Sequence, residues 1–164
     1  MIYSLRMEVT SLKSKVIIFI LLITLLSGCN LGASESAVDK VKELVSTYQE
    51  KSGISAKATD VEFDMANRLD DPFVIAGTAS LSDYYNYGYE FFEDKWFSVR
   101  LDTIDRPGSW YLYFDRKSDK ALFEELKNNN KVILVAAAFV PKSIYNEKQG
   151  KMAAATTPVW VAID

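Results

Sequence analysis

The sequence predicts an α+β fold, mainly β, in which five strands form a small barrel preceded by an N-terminal amphipathic helix. From residue 72 onward the chain contains five short stretches of alternating or continuous apolar residues, as expected of strands. A helical pattern separates the third stretch from the fourth. A second helical pattern lies before all of them, over residues 35–53.

The N-terminal helical pattern has apolar side chains at three- and four-residue spacing: Val38, Val41, Val45 and Tyr48. Ser34 or Ser36 can cap its start, and Gly53 can end it. An exposed stripe of this size would promote aggregation, so the pattern favours packing on the barrel. A partner-binding helix is the alternative.

Residues 54–71 fit two interpretations. Val61, Phe63 and Met65 alternate with polar neighbours as in a strand, yet a short helix leading into Asn67 also fits. This segment holds the densest acidic cluster of the chain: Asp60, Glu62, Asp64, Asp70 and Asp71. The glycine-containing twelve-residue loop of a calcium site is absent, so we interpret the cluster as a solvated face.

The first three predicted strands cover residues 73–81, 96–101 and 110–114. Each alternates in the way that a strand with one face in a core does. Gly77, at the centre of the first, indicates a bulge or a sharp coil. A turn signal, Arg106-Pro107-Gly108, separates the second strand from the third.

A small helix is predicted over residues 119–127, with Leu122, Phe123 and Leu126 on one side. Residues 131–140 are almost continuously apolar, which is typical of a strand buried on both faces. Residues 152–163 form a last strand, in which Pro158 belongs at an edge or a bulge.

Three strands, a helix and two strands are the connectivity of an OB-fold, the five-stranded Greek-key barrel. Residues 121–127 running into 131–135 resemble the helix-to-fourth-strand passage of anticodon-binding-like OB-folds, including those found in bacterial lipoproteins. The first strand with Gly77 resembles theirs as well, and the resemblance covers roughly residues 59–164. Asn130 stands where these relatives often carry a glycine. A different small barrel or an α+β sandwich is the alternative topology.

An apolar run over residues 16–26 follows Lys13 and Lys15 and closes on Leu26-Ser27-Gly28-Cys29. Its eleven residues are too few to cross a bilayer, which requires about 20. The pattern resembles the lipobox of a bacterial lipoprotein signal peptide. That resemblance implies cleavage before Cys29, the only cysteine of the chain, and its acylation with fatty chains such as palmitate. A buried free cysteine is the alternative.

The expected organisation is a signal peptide (1–28), a lipidated cysteine and tether (29–34), a helix (35–53) and the barrel (54–164). Translation can start at Met1 or Met7. With Asn30 after the cysteine, the resemblance implies a membrane-anchored protein of the cell envelope, on the periplasmic face of the outer membrane in a Gram-negative cell. In a Gram-positive cell it would lie on the outer face of the plasma membrane.

The charge and the amino-acid composition of the chain disfavour some classes of function. The precursor has 19 basic and 22 acidic side chains, of which the signal holds three and one, so the mature part has a net charge of −5. Such a charge disfavours nucleic-acid binding. The chain has no histidine, which removes the commonest general base and metal ligand. We therefore expect a noncatalytic protein with no cofactor and no metal.

The OB-fold resemblance implies a ligand surface on the outer face of the second and third strands. Residues 84–114 contain twelve of the 21 aromatic side chains. Alternation places four candidates outward on these strands, and two tyrosines precede them: Trp96, Arg100, Tyr111, Tyr113, Tyr85 and Tyr87. Alternatively, these rings fill the barrel or cover its sides.

Three function classes follow. The favoured one is an envelope binding or adaptor protein that recognises another protein or a cell-wall component through this aromatic face. The alternative is a nucleic-acid-binding OB module. A carboxylate enzyme built on Asp102, Asp105 and Asp115 is the third, although no spacing marks a catalytic pair.

Overall fold

A computed structural model describes residues 37–85, 93–129, 131–142, 145 and 150–163. Within them, five strands form a closed barrel in the order β1-β2-β3-β5-β4. The strands are β1 (Phe73–Ser82), β2 (Trp96–Thr103), β3 (Ser109–Asp115), β4 (Val132–Phe139) and β5 (Met152–Ala162). The helices are α1 (Ala37–Ser52), α2 (Ala58–Glu62) and α3 (Lys120–Asn129), with a 3₁₀ turn at Met65–Asn67.

All strand pairs are antiparallel except β3 and β5, which run parallel over three residues. The helix α3 lies between β3 and β4 in the chain. This connectivity confirms the predicted fold class, an α+β protein with a five-stranded OB-fold-like barrel. The predicted signal peptide (residues 1–28), Cys29 and Asn130 lie outside the described residues.

The barrel interior is filled by the inward side chains that alternation predicts. Phe73, Phe97, Leu101, Trp110 and Leu112 are each 0–1% exposed. Leu122 and Leu126 of α3 join the same core cluster, so the helix closes the barrel with its apolar side. Burying large apolar side chains in this way supplies the main driving force for folding.

Gly77 begins the part of β1 that pairs with both neighbours, and it faces Thr103 of β2 and Leu134 of β4. Neither ladder shifts register there, so of the two predicted features, a bulge or a sharp coil, the bulge is absent. The glycine is needed because a Cβ at this position would lie 2.2 Å from the carbonyl oxygen of Asp102. It permits close approach of two backbones where the strand curves around the barrel.

The register between β4 and β5 shifts between Val135 and Ala137, where β5 carries Thr157 and Pro158. Thr157 has a φ of 49°, in the left-handed region. This confirms the predicted irregularity at Pro158, a residue that cannot donate a ladder hydrogen bond.

The helix α1 packs on the outside of the barrel against β1 and β4. Tyr48 lies in one buried cluster with Val74 and Val135, and Leu44 and Val45 pack against this cluster. The outward side chains of β4 are therefore covered, which explains the continuous apolar run that forms this strand.

No helix in the described part of the chain is long and apolar enough to span a bilayer.

Residues 58–67 form α2 and the 3₁₀ turn, so the strand interpretation of this segment is wrong and the helical one is correct. Its acidic side chains contact both neighbouring and distant residues. Asp60 accepts a hydrogen bond from the Lys57 backbone N–H (2.8 Å), and Glu62 forms an ion pair with Lys151. Asp64 accepts a hydrogen bond from the Asn67 side chain. Asp70 accepts a hydrogen bond from the Lys142 backbone N–H (2.9 Å).

Candidate binding surface on the second and third strands

The candidate side chains on β2 and β3 occupy one outer face of the barrel because the two strands pair in register. Arg100 lies opposite Tyr111, Ser98 opposite Tyr113, and Trp96 opposite Asp115. Alternation turns Phe97, Val99 and Leu101 into the core, where each is buried. The face therefore combines aromatic rings with a guanidinium group, as the sequence predicts.

Tyr113 points outward but is buried, with 0% of its surface exposed, so its assignment as a surface contact residue is wrong. It forms a cluster with Met152 and Ala154 of β5, against which Tyr85, Trp96, Tyr111 and Phe139 pack. Its hydroxyl donates a hydrogen bond to the carbonyl oxygen of Tyr84 (3.3 Å). Burial raises the pKa of this phenol well above its ordinary value of 10.0.

Two rings of this face, Tyr84 and Tyr111, pack against each other. Their centroids lie 4.4 Å apart with 37° between the ring planes. Tyr84 is 40% exposed and Tyr111 is half-buried, so the pair presents ring surface to solvent, and Tyr111 packs against the cluster that contains Tyr113. Sequence analysis missed Tyr84 because it follows β1 rather than lying on β2 or β3; its place in a run of tyrosines was the available signal.

A polar row borders the tyrosine pair. The Arg100 Nε donates to Oδ1 of Asp102 (3.1 Å), and the Ser109 hydroxyl donates to the same oxygen (2.6 Å). These contacts lower the pKa of the Asp102 carboxyl, with the Ser109 hydrogen bond as the largest cause. Arg100 and Asp102 both remain exposed, so this pair contributes little to stability and is accessible to a ligand.

Arg116 ties the segments on either side of residues 86–92 to the barrel. Its Nε donates to the carbonyl oxygens of Glu93 (2.5 Å) and Trp96 (2.9 Å), and its Nη2 donates to the Tyr85 hydroxyl (3.3 Å). The guanidinium group also lies 4.7 Å from the ring centroid of Phe123 on α3. Arg116 therefore positions Tyr85 and Trp96, a role that the sequence did not indicate.

Two further candidates complete the predicted set. Trp96 is half-buried, and the Lys95 ammonium lies 5.0 Å from the centroid of its ring. Tyr87 lies outside the described residues. The surface therefore consists of Tyr84, Tyr111, Trp96 and Arg100, with Tyr85 and Tyr113 as supporting side chains.

Two of the three carboxylates considered for catalysis, Asp102 and Asp115, make structural contacts. Asp115 accepts hydrogen bonds from the backbone N–H groups of Lys117 and Ser118 (2.9 and 3.0 Å), and these bonds lower its pKa. Asp102 is engaged by Arg100 and Ser109 as described above. Within the described ranges, no group of three or more acidic side chains is arranged to hold a metal ion.

A small cavity lies between α1, α2 and β1, lined in part by Val45, Glu62, Val74 and Trp110. Its volume of about 20 Å³ suffices for a single water molecule and not for an organic ligand. This cavity therefore does not compete with the outer face of β2 and β3 as a recognition site.

Comparison with known proteins found no matching family model, no matching curated protein and no matching solved structure.

Proposed function

We propose that this protein is a noncatalytic, lipid-anchored binding or adaptor protein of the bacterial cell envelope. Cys29 carries the anchor, and the outer face of β2 and β3 recognises a second protein or a cell-wall component. The lipobox-like pattern Leu26-Ser27-Gly28-Cys29 supports the anchor. Stable attachment by fatty chains requires two of them, and a diacylglyceryl group on the cysteine provides both.

The recognition surface rests on one observation, the solvent-facing tyrosine pair Tyr84 and Tyr111 beside Arg100. Tyrosine rings bury a large apolar area at small cost in conformational entropy, and arginine adds directional hydrogen bonds. Tyr111 packs against the cluster of buried Tyr113, and the Tyr113 hydroxyl holds the Tyr84 backbone, so little ordering is needed on binding. These are the properties of a preformed contact surface.

The acidic mature chain disfavours the nucleic-acid alternative, because phosphate contacts by basic side chains normally supply most of the affinity. The tyrosine pair would stack on bases as readily as on a protein or a sugar. Nucleic-acid binding is therefore tested directly with an oligonucleotide. A labelled single-stranded oligonucleotide should show flat anisotropy up to high micromolar protein. Saturable binding that weakens steeply with salt would favour the nucleic-acid function.

The partner is best sought by crosslinking in intact cells, followed by affinity purification of the full-length lipoprotein and mass spectrometry. We expect specific partners with the wild-type protein and their loss with Tyr84→Ala combined with Arg100→Ala. The matched control is Phe63→Ala, which removes a 74% exposed ring in the segment between α2 and the 3₁₀ turn. Equal recovery of the same partners by all three proteins would contradict a role for the β2–β3 face.

A further inference from the structure

A carboxylate with a fixed orientation lies beside the tyrosine pair of the β2–β3 face. The Arg100 Nε and the Ser109 hydroxyl both donate hydrogen bonds to Oδ1 of Asp102 (3.1 and 2.6 Å). The other oxygen of this carboxylate, Oδ2, makes no hydrogen bond to any described residue, and more than half of the Asp102 side chain is exposed. Asp102 therefore presents an oriented and accessible acceptor to a ligand.

The Arg100 side chain supplies hydrogen-bond donors next to this acceptor. Its Nε is occupied by Asp102, and its remaining N–H donors are on the two terminal nitrogens of the guanidinium group. No described residue accepts a hydrogen bond from these nitrogens, and more than half of the side chain is exposed. An acceptor and several donors thus lie side by side, and the described fold uses neither.

Neighbouring hydroxyl groups of a sugar match both parts of this arrangement. Each hydroxyl can donate one hydrogen bond and accept another. One hydroxyl of a vicinal diol can donate to Oδ2 of Asp102 while its neighbour accepts from the Arg100 guanidinium. Hydrogen bonds to charged groups are stronger than those between neutral groups, so the pair would distinguish a diol from a surface without hydroxyls.

The tyrosine pair provides an apolar surface beside these polar groups. Tyr111 lies directly opposite Arg100 across the β2–β3 ladder, which places their Cβ atoms about 5 Å apart. Tyr84 packs against Tyr111, with ring centroids 4.4 Å apart. The C–H groups on one side of a pyranose form an apolar face, and the apolar body of an aromatic ring can cover it. A sugar stacked on the tyrosines would therefore turn its hydroxyl edge toward Arg100 and Asp102.

The polar row of this face continues onto β1. Ser80 pairs with Arg100, and Thr78 pairs with Asp102, across the β1–β2 ladder. Neighbouring strands lie about 4.8 Å apart, so the row from β1 to β3 spans about 10 Å. This span is longer than one pyranose ring, which favours a chain of sugars over a monosaccharide.

We propose that the β2–β3 face binds an uncharged, β-linked glycan, with sugar C–H faces on the tyrosine pair and hydroxyl groups on Arg100 and Asp102. The inference rests on the proposed function and narrows its ligand to a glycan. The exposed carboxylate and the acidic mature chain disfavour acidic sugars and nucleic acids. A protein partner would bury the Arg100–Asp102 pair and would have to replace its hydration with matching polar groups.

The test uses the acylated full-length protein in micelles of a detergent without a sugar headgroup. Chitotetraose and cellotetraose are titrated by saturation-transfer difference NMR. We expect saturable binding of at least one of these probes, with the strongest transfer to the C–H protons on one face of the sugar. No binding of either probe would overturn the inference.

Asp102→Asn is the diagnostic variant. It keeps the shape of the side chain and Oδ1, but it exchanges the acceptor Oδ2 for an NH₂ donor. We expect binding to weaken about tenfold, the loss that corresponds to one hydrogen bond to a charged group. Tyr111→Ala should abolish measurable binding. Full binding by both variants would overturn the assignment of the glycan to this face.

Phe63→Ala is the matched control. Phe63 is 74% exposed, and its ring lies 4.6 Å from the Arg106 guanidinium, so this site also combines an aromatic ring with an arginine. The variant should bind the probes as wild type does. Loss of binding with Phe63→Ala and not with Tyr111→Ala would move the glycan site away from the β2–β3 face and overturn the inference.

Failure of this inference is distinguishable from failure of the proposed function. If neither probe binds but the crosslinked partner is lost with Tyr84→Ala combined with Arg100→Ala, the glycan is wrong and the recognition surface stands. If neither probe binds and that variant retains the partner, both are wrong. Where a probe binds, cosedimentation with purified peptidoglycan sacculi supports cell-wall glycan as its natural counterpart, and failure to cosediment supports another envelope polysaccharide.

Discussion

The Tyr48 hydroxyl of α1 lies 3.0 Å from the carbonyl oxygen of Thr157 in β5, a residue 109 positions later in the chain. The same hydroxyl is 2.5 Å from Oγ1 of Thr157 and accepts a hydrogen bond from the Ala137 backbone N–H of β4 (2.9 Å). The β4–β5 bulge breaks the ladder at this point, and Tyr48 satisfies the backbone groups that it releases. One phenol thus joins the N-terminal helix to the irregular part of the barrel.

Replacing Tyr48 with Phe should destabilise the protein by about 1–3 kcal/mol, because the Ala137 N–H loses its partner in a partly buried site. Urea unfolding followed by far-ultraviolet circular dichroism measures this change. Tyr111→Phe is the matched control, since it removes a phenol hydroxyl from a half-buried ring on the barrel surface, and it should change the midpoint little. Equal midpoints for Tyr48→Phe and wild type would show that the bulge does not need the phenol.

Gly77→Ala should cost about 3 kcal/mol or more, because the new Cβ would lie 2.2 Å from the Asp102 carbonyl oxygen and only backbone movement can relieve the contact. Gly53→Ala provides the comparison. Gly53 has a φ of 71° but no heavy atom within 4 Å of the added Cβ, so it should lose only about 1–2 kcal/mol. Thermal unfolding of both variants distinguishes steric overlap from conformational strain, and a smaller loss for Gly77→Ala than for Gly53→Ala would contradict this explanation.

Tyr113→Ala should destabilise the barrel by about 3–5 kcal/mol, as expected for removing a large ring from a fully buried site. Tyr84→Ala removes a ring that is 40% exposed and should cost far less. Comparing the unfolding midpoint of each variant with its recovery of partners distinguishes a role in packing from a role in recognition. A well-folded Tyr113→Ala variant that selectively loses a partner would show that Tyr113 is a contact residue and contradict this prediction.

Asp102 should make stability depend on pH in the acidic range. Its folded-state pKa lies below the ordinary value of 3.8, so the unfolded chain binds more protons there and stability falls as pH drops through the folded pKa. The stabilisation is fully present at neutral pH. Asp102→Asn should therefore flatten the acid limb of a plot of unfolding free energy against pH, and Ser109→Ala should flatten it partly. An Asp102→Asn curve parallel to that of wild type would contradict this assignment.

Much of the fold follows from apolar alternation, since a residue facing the core in one strand predicts its neighbours two positions away. This correctly placed Phe97, Leu101 and Trp110 inside and Arg100 outside. Alternation does not report what covers an outward side chain. Tyr113 was therefore predicted on the correct face with the wrong exposure, because Tyr84 and Tyr85, which contact it there, come from a different part of the chain.

Two other features could not be predicted from local sequence patterns. The apolar alternation of Val61, Phe63 and Met65 fits a strand, yet Val61 alone is buried and Phe63 is 74% exposed, because a short helix places them on different sides. The Tyr48–Thr157 contact joins residues that no local periodicity relates. Long-range hydrogen bonds of this kind depend on the packed geometry of three elements.

The most direct test of a lipid-anchored binding protein is intact mass spectrometry of the native protein extracted from membranes. The account predicts a chain that begins at Cys29 and carries a diacylglyceryl group, with Cys29→Ser blocking both cleavage and lipid labelling. A mature chain with an unmodified first residue, or a Cys29→Ser protein that is cleaved and fractionates with membranes as wild type does, would contradict it.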